Sequence, residues 1–438
     1  MEYGSQSESL KYVQVFGSGL EKAVKNALGW NSGRVIYNNH KGIKYDIQVD
    51  SCWPNTTSPM AFVSVTYCKP DKPGHSNENK LQLKLGELIL LKAAYPNIRG
   101  ILVIGGNKHT WAPYILEAFQ YFFDKTIFVW ETNFDDEINR VKENPMNIPL
   151  KHEVTWSKLA SEWKAKETKL WDAEPISSSL RLSMWEAMSE IGCEGELPSY
   201  ITNEIFRHCM DTAYQRSVET RNRNGKEWTN YVNDDWSNIW ESRSFFNPAE
   251  AAIDLLLKYD GFAYLGGLAK DVSVPSLIHH LGGMHVDNTK VSEDFVLYSN
   301  KLDMPVFIQS KATGGGKEGH GKNIQNRTKE QVARSLFYRG EIIDKEIKIR
   351  EKDFYWIGVL DGNWGVTKKT PLKYLHMLEM AGYDFLIGAD SLVTDELSLL
   401  RDNSLLENLK WLECITDESE FTIKWNTWKR ARFKRLDL

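Results

Sequence analysis

Three polar side chains in one short stretch have the types and the spacing to do chemistry together: Asp294, Gln309 and Lys311. The stretch runs Asp294-Phe-Val-Leu-Tyr-Ser, then a polar turn Asn300-Lys-Leu-Asp-Met-Pro305, then Val306-Phe-Ile-Gln-Ser-Lys311. It reads as strand, turn, strand. Side chains alternate along a strand, so Gln309 and Lys311 leave one face together, and the hairpin brings Asp294 beside them. An acid, an amide oxygen and an ammonium at one point suit a divalent metal and a phosphodiester. Such an ester resists hydrolysis because its charge repels nucleophiles and its leaving alkoxide is poor, and bound Mg2+ counters both. Asp294 would be the anionic metal ligand. Gln309 would add a neutral amide oxygen, and the backbone carbonyl of Ser310 would complete the protein side.

These residues, in this order, resemble the active site of the PD-(D/E)xK nuclease superfamily, which includes many restriction endonucleases. The departure is Gln309, where most members have an acid. It is similar to the Gln-x-Lys variant of Mrr-like and some modification-dependent restriction enzymes. The resemblance covers residues 245–365. It implies that Lys311 holds and activates the attacking water and stabilises charge on the phosphorane. It also implies that Glu250, on the helix before the hairpin, is the family's additional upstream acid, and that the cofactor is Mg2+.

The elements that must position these groups recur along the chain. Leu20, Val24 and Leu28 have helical spacing within residues 10–29, and Glu21 lies among them. Strands are expected at 42–49, 61–68, 99–105 and 126–130, with helices at 77–94 and 110–123. Residues 133–245 change to helical periodicity. Asn247-Pro248-Ala-Glu250 then opens a helix, with a cap residue and a proline suited to the first turn. The Asp294–Lys311 hairpin follows, then a glycine-rich loop, a helix at 324–343 and a buried strand at 354–360.

The two α/β segments share one order of elements. Tyr45-Asp46-Ile-Gln-Val falls on Glu293-Asp294-Phe-Val-Leu, and Phe62-Val-Ser64-Val-Thr66 on Phe307-Ile-Gln309-Ser-Lys311. Gly74-His75 falls on Gly319-His320. The expected fold is therefore α/β, with two PD-(D/E)xK-like mixed-sheet domains, 1–132 and 246–400, flanking a mainly helical middle region, 133–245. A basic, aromatic extension, 401–438, ends the chain. The N-terminal copy is expected to be inactive: Ser64 is a poor metal ligand, Thr66 has no ammonium, and Asp46 alone would not hold Mg2+.

Composition sets outer limits. A chain of 438 residues has room for two or three domains. The net charge of −5 excludes a generally basic nucleic-acid coat protein but leaves room for a local positive cleft. Sixteen tryptophans read first as core filling. The scattered Cys52, Cys68, Cys193, Cys209 and Cys414 form no C-x-x-C pair, which argues against structural zinc and a disulfide framework and for reduced thiols in a cytoplasm. The N-terminus reads as no signal peptide, and no apolar run approaches a membrane span.

The reading that unites these features is a Mg2+-dependent, type II restriction-like endonuclease. It would cut double-stranded DNA as a homodimer, because one live site per chain needs a partner to cut both strands. Lys317 and Lys322 in the glycine loop and Arg327, Lys329, Arg334 and Arg339 on the next helix would face phosphate, and His320 would assist proton transfer. Arg216, Arg221 and Arg223 would read bases. Two alternatives belong to other classes. Gly316-Lys-Glu-Gly-His-Gly321-Lys322-Asn323 nearly matches a nucleotide-binding P-loop, although Asn323 lacks the Mg2+-binding hydroxyl. The basic C-terminal segment would also suit a DNA-binding protein without catalysis.

Overall fold

Parallel strands covered on both sides read as unbroken apolar runs. Ile101 to Ile104 and Trp356 to Val359 are two such runs, and each lies inside its own sheet. The computed structural model describes residues 18–39, 42, 44–68, 75–167, 248–267, 271–278, 291–313, 321–362, 373–389 and 405–435. The first unit contains α1 (Ser18–Leu28), β1 (Asn31–Asn38), β2 (Lys44–Trp53), β3 (Ala61–Tyr67), α2 (His75–Ala94), β4 (Arg99–Gly105), α3 (Pro113–Phe122), β5 (Lys125–Phe128), α4 (Phe134–Glu143) and α5 (Glu153–Glu167). The second contains α6 (Pro248–Tyr259), β6 (Leu265–Gly266), β7 (Val272–Ser273), β8 (Ser292–Glu293), β9 (Phe295–Ser299), β10 (Met304–Thr313), α7 (Gly321–Arg339), β11 (Gly340–Ile343), β12 (Glu346–Ile349), β13 (Tyr355–Gly362), α8 (Lys373–Ala381), β14 (Phe385–Gly388), α9 (Leu405–Trp411) and α10 (Glu418–Arg435).

The chain is a mixed α/β protein, and its two main sheets have the same topology. The first is ordered β1-β2-β3-β4-β5 and the second β6-β9-β10-β13-β14. In each, the first three strands are antiparallel neighbours and the last three run parallel. A long helix links the third strand to the fourth in both, α2 in one and α7 in the other.

The outer faces are apolar. Leu20, Val24 and Leu28 of α1 pack on Val63, Val65 and Val103. Ala249, Ile253 and Leu257 of α6 pack on Val306, Ile308 and Val359. The inner faces merge into one core that includes Phe62, Leu102, Phe307 and Trp356. Ser64 and Thr66 share the inner face with Phe62, and Gln309 and Lys311 share it with Phe307.

Helix α7 is polar, yet Thr328 to Arg334 are nearly all buried, because α2 lies along it. Gly86 of α2 touches α7 so closely that a Cβ there would overlap the Lys329 carbonyl. Cross-unit pairs line this seam: Lys329 Nζ to Glu87 Oε2 at 2.7 Å, Arg339 to Glu162 at 2.9 Å, and Lys373 to Asp46.

The helix expected at 324–343 stops at Arg339, where Gly340 begins a hairpin. Ile347 and Ile349 of that hairpin are buried, and its Glu346 meets His152 at 3.0 Å. Trp111, Trp156, Trp163 and Trp356 are core residues, Trp411 is exposed, and Trp425 and Trp428 of α10 stack on each other and pack edge-on to Phe307. Cys52, Cys68 and Cys414 are buried and form no disulfide among the described residues, and no described helix is long and apolar enough to cross a membrane. Gly86→Ala should lower stability by about 1–3 kcal/mol, since overpacking a tight contact costs that much. Urea unfolding checks this, and an unchanged midpoint would mean that the helices do not meet there.

Candidate functional site

Asp294 sits at the bend between β8 and β9, 8% exposed. Its Oδ2 accepts the backbone N–H of Ser310 at 2.5 Å. The ladder register pairs Ile308 with Phe295, so Asp294 falls beside Gln309, one step further on. Lys311 lies two residues along, on the Gln309 face. Burial raises the Asp294 carboxyl above its usual pKa, and Lys311 opposes the rise. Burial likewise lowers the Lys311 ammonium, with Asp294 opposing and Arg334 and Arg327 adding to the fall. The structure therefore brings the acid and the amine together, and it draws their proton affinities towards each other.

Gln309 is present but differently employed. It is 1% exposed, and its Oε1 accepts a hydrogen bond from Arg334 Nη1. The oxygen expected to face a cation faces a guanidinium instead. Its Nε2 has no partner among the described residues. The same Nη1 donates to the Ser292 carbonyl at 2.5 Å and lies 3.6 Å from Glu293 Oε1. Glu293 is wholly buried, and its two oxygens accept from Tyr338 Oη at 2.5 Å and Trp356 Nε1 at 3.2 Å. Exposed Asp271, held by Ser292 Oγ at 3.0 Å, also pushes Asp294 up. Glu293, Asp271 and the role of Arg334 were invisible in the sequence, because only the fold brings them round Asp294.

The N-terminal copy repeats this geometry from Asp50, not from Asp46 as the strand pattern suggests. Asp50 Oδ2 accepts the Val65 N–H at 2.7 Å, as Asp294 does from Ser310. Asp46 lies on the half of β2 that pairs with β1, and it binds Arg34 and Lys373. Strand β2 is long and meets β3 only over its last residues, so the acid beside Ser64 comes four positions later than a strand-opening acid. Lys84 of α2 donates to Ser64 Oγ at 2.6 Å, supplying an ammonium that Thr66 cannot. Ser64 Oγ in turn donates to Glu87 Oε1 at 2.7 Å. Burial would raise Glu87, but Lys329 and Lys84 hold it below its usual pKa. Glu21 of α1 feels the charge of Asp50. Glu250, the expected upstream acid, lies half-buried in the first turn of α6.

The expected phosphate-facing helix is corrected. Lys329 and Arg334 are buried counter-ions for Glu87 and Glu293, and Arg339 pairs with Glu162. Charge type was readable, but the covering helix α2 was not. Arg327, paired to Glu330 at 2.9 Å, remains partly exposed. Lys317, His320, Arg216, Arg221 and Arg223 lie outside the described residues, as does the side chain of Lys322. Most of the P-loop-like segment lies outside them too.

Among the described residues no three His, Cys, Asp or Glu side chains form a metal cage. The donors still suit Mg2+, which is commonly held by one or two carboxylates and completed by waters and substrate phosphate. Asp294 would supply the carboxylate and Ser310 its carbonyl.

Burial lifts Glu293 from 4.5 to about 7, against Arg334, Tyr338 and Trp356. A raised acid stabilises the fold fully below its unfolded value and loses that contribution as pH climbs through about 7. At about 1.4 kcal/mol per unit the loss reaches about 3 kcal/mol. Glu293→Gln should therefore flatten stability between pH 5 and 8 on the order of that amount. It should also forfeit about 1 kcal/mol from one broken hydrogen bond. Urea unfolding at both pH values checks this, and parallel losses in wild type and variant would contradict it.

Comparison with protein-family models, curated proteins and solved structures gave no match, so the chemistry of the site rests on the residues just described.

Proposed function

We propose that this chain is a Mg2+-dependent endonuclease that hydrolyses phosphodiester bonds in double-stranded DNA, with its active site in the second unit. The reading is a type II restriction-like enzyme of a prokaryotic cytoplasm, acting as a homodimer so that two live sites meet two strands. One observation carries it: the buried Asp294 carboxylate, tied to the Ser310 N–H, lies near the half-buried Lys311, and each feels the other's charge. The repeated αβββαβ topology supports the PD-(D/E)xK assignment.

When bound at Asp294, Mg2+ would neutralise the phosphate and polarise it. The chain's own residues do the rest. Asp294 presents its carboxylate at a fixed place, because its other duty is the Ser310 amide. Lys311, its proton loosened by burial, takes a proton from the attacking water as the neutral amine; the ammonium so formed stabilises the charge on phosphorus, and the leaving alkoxide is protonated by solvent water as its bond to phosphorus breaks. Neighbouring Arg334 and Arg327 reinforce that loosening. The N-terminal copy, whose Glu87 is already taken by Lys329, serves as scaffold.

The test is incubation of varied plasmid DNA with Mg2+ beside the Lys311→Ala and Asp294→Asn variants. The wild type should give discrete fragments. Both variants should bind DNA and cut at least about 100-fold more slowly, the usual loss for a general acid–base group. Undiminished cutting by Lys311→Ala would move the chemistry elsewhere, first to Asp50 and Lys84.

A further inference from the structure

A guanidinium carries five donors in a rigid fork and can join several acceptors that a lysine cannot reach at once. Arg334 uses this fork at the meeting point of three elements. Its Nη1 donates to the Ser292 carbonyl and to Gln309 Oε1, and its Nε reaches Gln82 Oε1 of α2 at 3.5 Å. Ser292 lies two residues before Asp294, and Gln309 two before Lys311. The guanidinium thus clasps the two strands that carry the acid and the amine, at the level where they diverge.

We propose that Arg334 is the positioning residue of the site, and that Gln309, held by it, serves as a hydrogen-bond donor to water or a phosphate oxygen and not as a cation ligand. The inference rests on the nuclease reading above. Two observations support it. The amide oxygen of Gln309 is already spent on Arg334, while its buried Nε2 has no partner among the described residues. A buried amide N–H without an acceptor is destabilising, so the position suits an acceptor that arrives with the substrate. A carboxylate at 309 would behave differently. The guanidinium would capture it as a buried ion pair, whereas the amide is held by one oxygen and keeps its NH2 group.

The test uses the full chain, plasmid cleavage with Mg2+, and calorimetric titration with Mn2+. The variants are Arg334→Lys, Gln309→Met and the double variant, with Asp294→Asn as reference and thermal melts to show that each folds. Each single variant should cut about 10–100-fold more slowly, as expected when a residue that orients a site is lost. The double variant should be no slower than the worse single, because both remove one linkage. Mn2+ affinity should stay that of the wild type in Gln309→Met and collapse in Asp294→Asn. A merely structural role would lower melting temperature but leave the rates of the folded variants unchanged or additive. Should Arg334→Lys fail to fold, Gln309→Met breaks the same hydrogen bond from the other end. If the wild type binds Mn2+ and cuts while either single variant matches its rate, the inference is overturned and the nuclease reading stands. Loss of Mn2+ binding in Gln309→Met would overturn the donor role. A wild type that neither binds Mn2+ nor cuts overturns the nuclease reading and this inference with it.

Discussion

A carboxylate at the end of one strand accepts the backbone N–H of the next strand, and the rest of the site depends on that bond. Asp294 does this to Ser310, and Asp50 does it to Val65. The amide it takes belongs to the residue between the two functional positions, so the acid is locked beside them both. Strand register sets which residue that is. A slip of one residue would turn Gln309 and Lys311 to the apolar outer face and Ile308 and Ser310 inwards. The close apolar packing of Val306 and Ile308 against α6 forbids such a slip. The outer core therefore fixes the chemistry of the inner face.

The inner face is where charge is buried, and the burial is mutual. Two sheets of one topology turn the same face towards a shared layer of helices, and α2 and α7 run against each other through the contact at Gly86. A polar helix in such a place is stable only if its charges are paired. Lys329 with Glu87 and Arg334 with Glu293 meet that demand. The same low-polarity surroundings raise Asp294 and lower Lys311, which sets this acid and amine apart from a plain surface ion pair. Stability and the shifted proton affinities thus come from one arrangement.

Much of the frame was readable from periodicity. The strands at Ala61–Tyr67 and Arg99–Gly105, the long helix α2 and the hairpin of Asp294 and Lys311 follow from alternation, apolar runs and turn residues. The repeat was readable in its order of elements and misplaced in one register, because Asp46 and Asp50 lie on the same strand and only pairing with β3 selects between them. What periodicity could not give was the partner of each polar group. Lys329, Arg334 and Arg339 have the composition of a phosphate-binding face, and only the approach of a second helix turns them inwards. Glu293 is one residue from a predicted site residue, yet alternation sends it to neighbours, Tyr338 and Trp356, that are far away in sequence.

In the proposed site Asp294 and Lys311 together hold a cation and a phosphate. A crystal structure of the chain with DNA and Ca2+ would show whether they do. Ca2+ should lie on the Asp294 carboxylate, with oxygen ligands at about 2.3–2.6 Å including a DNA phosphate, and the Lys311 ammonium beside that phosphate. DNA bound away from the second unit, or a cation coordinated without Asp294, would contradict it.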